Sequence, residues 1–114
     1  MNKLTVLFIS FCLTLFFCAC NNKTSVVEKS FHVWGNTTKC KINIENACSA
    51  NGVNQAVWDE NTKLLKLKID TTVVSYNTVL KQVANVGYDN ELFFGNDYAY
   101  SKLDPSCQYE RRTD

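Results

Sequence analysis

The sequence predicts a small α+β domain, with two helices covering one face of a four-stranded antiparallel sheet in the order βαββαβ. Three observations predict it. Leu65, Leu67 and Ile69 alternate with Lys66 and Lys68, the period-2 pattern of a strand with one buried and one wet face. Ile44, Ala47 and Cys48 fall four, seven and eight residues after Cys40, and Tyr76, Val79, Leu80, Val83 and Ala84 also recur at helical spacing. Asn51-Gly52, Asp59-Glu60-Asn61-Thr62 and Gly87 punctuate these segments with residues suited to turns and helix ends.

The domain is preceded by a segment of different character. Lys3 opens residues 1–19, and an apolar run from Leu4 to Phe17 follows, too short for a permanent span of roughly 20 residues. The run meets Cys18-Ala19-Cys20, which resembles the lipobox of bacterial lipoproteins. That resemblance implies cleavage after Ala19, lipidation of Cys20 and an anchor facing the periplasm. Ordinary secretion to a soluble periplasmic form is the alternative. Either route exposes the later cysteines to an oxidising compartment. Residues 20–30 are polar without periodicity and read as a flexible tether.

Phe31-His32-Val33-Trp34 alternates as the first strand, with His32 on the solvated face. A helix from about Thr38 to Asn51-Gly52 follows, with Gly52 at its end. Val53 to Asp59 and Lys63 to Asp70 form a hairpin around the Asp59–Thr62 turn. Ser75 is suited to cap a second helix, which Gly87 ends. Leu92-Phe93-Phe94 supplies a short last strand. This order is the ferredoxin-like split βαβ arrangement, occupying residues 31–94. Residues 95–114 form a C-terminal extension carrying Cys107. Within it, Asp97 to Leu103 allows a helical turn or two, Pro105 stops it, and Arg111 to Asp114 frays.

Composition narrows the function. Removing Lys3 from the twelve basic residues leaves eleven, matched by eleven acidic ones, so no basic face suggests nucleic-acid binding. No carboxylate pair, nucleophile triad or phosphate loop argues for an enzyme. With Cys12 and Cys18 in the signal and Cys20 acylated, Cys40, Cys48 and Cys107 remain, too few for a dense disulfide scaffold. Cys48 lies on the buried face of the first helix and reads as core. Cys40 lies at the helix start, where the dipole, open backbone N–H groups and flanking Lys39 and Lys41 all favour thiolate.

The helix start with Cys40 and Ile44-Glu45, then Gly52-Val53, Trp58-Asp59, Lys63 to Asp70 and Gly87-Tyr88-Asp89, resembles the heavy-metal-associated domain family, small ferredoxin-like carriers of copper and mercury. The closest look is to exported bacterial members whose loop reads Gly-Asn-Cys-x-x-Cys. Such members also end in a cysteine-containing segment similar to Cys107-Gln108-Tyr109-Glu110. The resemblance implies a monomeric carrier of Cu(I), with Hg or Zn as other soft candidates, that exchanges metal with donor or acceptor proteins. It also implies that Tyr88 walls the site. The chain departs from the family at one decisive position: Thr37 stands where the first Cys of Cys-x-x-Cys belongs, and a protonated hydroxyl cannot replace a thiolate for a soft ion. Three readings follow: Cys107 folds back to join Cys40 in a two-thiolate metal site; the site is degenerate and the domain is an interaction module without metal; or Cys40 and Cys107 form a structural or redox disulfide.

Overall fold

The strand with the clearest alternation becomes the centre of the sheet. The computed structural model describes residues 25–114. Its strands are β1 (Val26–His32), β2 (Val53–Trp58) and β3 (Leu64–Asp70). They form a three-stranded sheet of order β1-β3-β2, antiparallel on both sides of β3. Register brings Phe31, Leu65 and Trp58 into one row, with Lys29, Leu67 and Ala56 in the next. On the opposite face Glu28 lies across from Lys68, a favourable cross-strand pair.

Two helices, α1 (Thr38–Ala47) and α2 (Tyr76–Asn85), complete the core. Cys40 and Ile44 from the first, with Cys48 just past its end, join Val79, Leu80 and Val83 from the second over Leu65, Leu67 and Ile69. The three strand residues have no exposure, each burial contributing about 1.5–3 kcal/mol. Ser75 caps α2 by accepting the Thr78 N–H at 3.1 Å. In the hairpin turn, Asp59 Oδ1 accepts the N–H groups of Asn61 (2.8 Å) and Thr62 (2.9 Å). Gly87 ends α2 with φ +104°, and a Cβ there would stand 2.7 Å from the Tyr100 nitrogen. Glycine is therefore required both by the backbone and by the chain packed against it.

Several expectations are corrected. Among the described residues the sheet has three strands where the sequence suggested four. Asn90 Oδ1 accepts the N–H groups of Leu92 (3.1 Å) and Phe93 (3.0 Å), and its amide nitrogen donates to Leu80 O. The side chain thus turns the backbone that an edge strand would have needed, leaving one isolated bridge, Val33 to Asn90. Val26 to Ser30, expected in the tether of residues 20–30, belong to β1 instead; pairing with β3 organises a stretch that lacks its own alternation. The same strand ends at His32 rather than Trp34. Helix α1 stops at Ala47, four residues before Asn51.

The C-terminal extension is part of the folded body. A short helix, α3 (Asp97–Ser101), is capped by Asn96, and Pro105 opens a 3-10 turn (Pro105–Cys107) instead of only ending a helix. Arg111 and Arg112, expected to fray, are bound to Asp89 and Asn90. The export signal expected over residues 1–19 and the lipidation expected at Cys20 lie outside the described residues. Among the described residues, no helix is long and apolar enough to cross a membrane.

Candidate functional site

The loop between β1 and α1 is held where it leaves the strand. Trp34 N–H donates to Asp89 O at 2.9 Å, and the Trp58 indole N–H donates to Val33 O at 3.0 Å. Gly35 lets the chain pass over Trp58: a Cβ there would lie 2.9 Å from the indole ring and 3.2 Å from Cys40 Cβ. Thr37 occupies the N-cap position in an extended conformation and makes no side-chain cap. Its hydroxyl instead lies 3.8 Å from Cys40 Sγ, while the Asn36 N–H points at the same sulfur from 3.4 Å. Asn36 Oδ1 is 3.0 Å from it.

Cys40 is the third residue of α1, and Cys107 reaches it from the 3-10 turn of the extension. Their Cα atoms are 5.5 Å apart, within the range of a disulfide, and the two sulfurs are bonded. Both residues are fully buried. Tyr88 is also fully buried, with its hydroxyl 3.1 Å from Cys107 Sγ. The Asn43 amide donates to that hydroxyl at 2.8 Å, which leaves the phenol proton directed at the sulfur. Burial raises the Tyr88 pKa, against a smaller lowering by Asn43, so the phenol stays protonated and able to donate.

The flanking lysines do less for the sulfur than their sequence positions suggested. Lys39 pairs with Asp104 at 3.0 Å, and Lys41 pairs with Glu45 at 2.7 Å while donating to Trp58 O. Both charges are neutralised by carboxylates, leaving the helix start and the Asn36 N–H as the groups that polarise Cys40. Cys48 lies away from this centre in the core. Its thiol is 3.2 Å from Ile44 O, and burial followed by the Glu45 charge pushes its pKa up to about 12. Asn36, Asn43 and the tail-binding Asp89 are not among the site residues that the sequence suggests, because their partners are fixed only by the fold.

Two sulfurs at one helix start are the chemical content of the site. As thiolates they would suit a soft ion in two-coordinate geometry; joined, they form a staple. Among the described residues no three His, Cys, Asp or Glu side chains converge, so the four-ligand set of a structural zinc site is not assembled there.

Solved structures share this architecture. The solution structure of a protein from Bacillus anthracis str. Ames, described as copper-ion-binding, superposes with a TM-score of 0.57 at 22% identity, covering 60% of this chain and 100% of that one. A CopZ metallochaperone superposes with a TM-score of 0.54 at 21% identity, covering 56% of this chain and 98% of that one. At these identities the likeness establishes the shared fold. No protein-family profile and no curated protein matches the chain.

Proposed function

We propose that this chain binds Cu(I), or a similar soft ion such as Hg(II), between Cys40 and Cys107, and passes it between donor and acceptor proteins. The observation that carries the reading is the arrival of Cys107 beside Cys40, with Cα atoms 5.5 Å apart. The extension thus returns a second sulfur to the helix start where the resembled family has two and this chain has Thr37. Two solved structures of the same fold bear copper-ion-binding and metallochaperone descriptions, which supports the choice of metal. Zinc is set aside on the donor set described above.

The ion is cargo, and transfer is exchange of thiolate ligands without chemical turnover. The closed disulfide holds no thiolate, so loading begins with reduction. A dithiol reductant is oxidised to its disulfide while the Cys40–Cys107 bond takes up two electrons and two protons. Metal binding then releases those protons. Export and lipid anchoring through Cys20 complete the proposal and place the monomeric domain at a periplasmic membrane surface. Mass spectrometry of the mature N-terminus tests the anchor, and an unmodified terminus removes it.

A second reading rests on the formed bond and the complete burial of both sulfurs. In it, the disulfide is a permanent staple in a ferredoxin-like interaction module. Anaerobic Cu(I) titration of the reduced chain against a competing chelator separates the two. The metal reading expects one tight equivalent that is lost in Cys40→Ser and in Cys107→Ser. Equal weak binding in all three proteins would leave the stapled module.

A further inference from the structure

A site assembled from sulfurs 67 residues apart needs something to hold them together once the bond between them opens. The groups that flank Cys107 meet that need without using either sulfur. The Asp89 carboxylate, with no side-chain exposure, receives Arg111 through two contacts of 2.8 Å, Nε to Oδ2 and Nη2 to Oδ1. It also accepts the Arg112 N–H at 2.9 Å and the Gly95 N–H at 2.6 Å. Arg111 donates further to Gly95 O at 2.8 Å and lies 4.6 Å from the Tyr100 ring centre.

Tyr109, two residues after Cys107, is buried between these groups and the site. Its hydroxyl accepts the Asp89 N–H (2.8 Å) and donates to Gly87 O (2.6 Å), while its carbonyl accepts the Tyr100 hydroxyl (2.6 Å). On the other side of Cys107, Asp104 caps the 3-10 turn and pairs with Lys39. The pairing at Asp89 is a bidentate one to a desolvated carboxylate, the strong class of side-chain contact. Opening the disulfide removes none of it.

We infer that Asp89 and Arg111 are positioning residues that keep Cys107 against Cys40 in the reduced chain, so that reduction yields a preformed two-thiol site rather than a released tail. The inference rests on the metal-site reading for its purpose, and its test uses no metal. Reduced wild-type chain is followed by amide hydrogen exchange, with the Arg112 and Gly95 N–H groups as reporters because both donate to Asp89. Protection retained on reduction is expected; loss of protection at both overturns the inference.

Equilibration with glutathione supplies the second readout. Two glutathione thiols are oxidised to one disulfide as the Cys40–Cys107 bond is reduced, and the ratio gives the effective concentration of one thiol at the other. A tail on a flexible link gives about a millimolar. Wild type is expected to exceed Arg111→Gln by at least tenfold, and equal values would overturn the assignment. Should Arg111→Gln fail to fold, Asp89→Asn leaves a neutral side chain in the same place and is compared in the same way. A chain that fails these tests yet binds Cu(I) loses the clamp and keeps the metal; the reverse result loses only the metal.

Discussion

Cys40 in the first helix and Cys107 in the C-terminal extension are bonded to each other, and the Tyr88 hydroxyl stands 3.1 Å from the second sulfur. This relationship makes the extension part of the candidate site. It also fixes what reduction, substitution and pH should do.

Reduction should lower stability without unfolding the domain. A crosslink spanning 67 residues restricts the unfolded chain by about 4 kcal/mol on the loop-entropy picture. Urea unfolding is expected to show a lower midpoint in the presence of a dithiol reductant, with a cooperative transition retained. Identical midpoints would mean that the bond adds no net stability.

Thr37→Cys should shift the metal site onto the loop. The Thr37 hydroxyl lies 3.8 Å from Cys40 Sγ, so a sulfur at that position is near enough to share a two-coordinate ion with Cys40. Reduced Thr37→Cys/Cys107→Ser is expected to bind Cu(I) in the chelator competition, whereas Cys107→Ser alone is not. Failure of the double variant would show that the loop cannot hold an ion without the extension.

Acid should loosen the extension through Asp89. Burial raises the Asp89 pKa, but the Arg111 guanidinium and the N–H groups of Arg112 and Gly95 more than offset this and hold it below the usual carboxylate value. The contribution of such a depressed carboxylate is fully present above the unfolded pKa of about 3.9 and is lost as pH falls through the folded value. Thermal melting is therefore expected to lose stability more steeply below about pH 4 in wild type than in Asp89→Asn. Parallel pH profiles for the two proteins would contradict this.

Cys48 should stay silent in the folded chain. Its thiol is fully buried and its pKa is pushed up to about 12, so almost none is thiolate at neutral pH. Alkylation followed by peptide mass mapping should label it only after denaturation. Rapid labelling of the native protein would place it at the surface.

The segments that the sequence made legible are those whose pattern is local. The Leu65, Leu67 and Ile69 alternation became the central strand, and the Val79, Leu80, Val83 spacing became a helix face, capped by Ser75 and closed by Gly87. Leu92, Phe93 and Phe94 have strand composition yet form no strand, because the Asn90 side chain takes the N–H groups of Leu92 and Phe93. The first half of β1 is not legible in the sequence, because Val26 to Ser30 pairs through its backbone and does not alternate in polarity.

By itself the sequence determined the order of elements as far as the second helix, the burial of Cys48 and the departure at Thr37, since each is written in neighbouring residues. Only the tertiary structure decided that Cys107 meets Cys40, that Arg111 clasps Asp89, and that Lys39 is neutralised by Asp104. Spacing along the chain registers periodicity, whereas the joining of distant residues depends on how the extension packs across Gly87 and Tyr88. The balance of buried charge and aromatic contact that holds it there exists only once the core has formed.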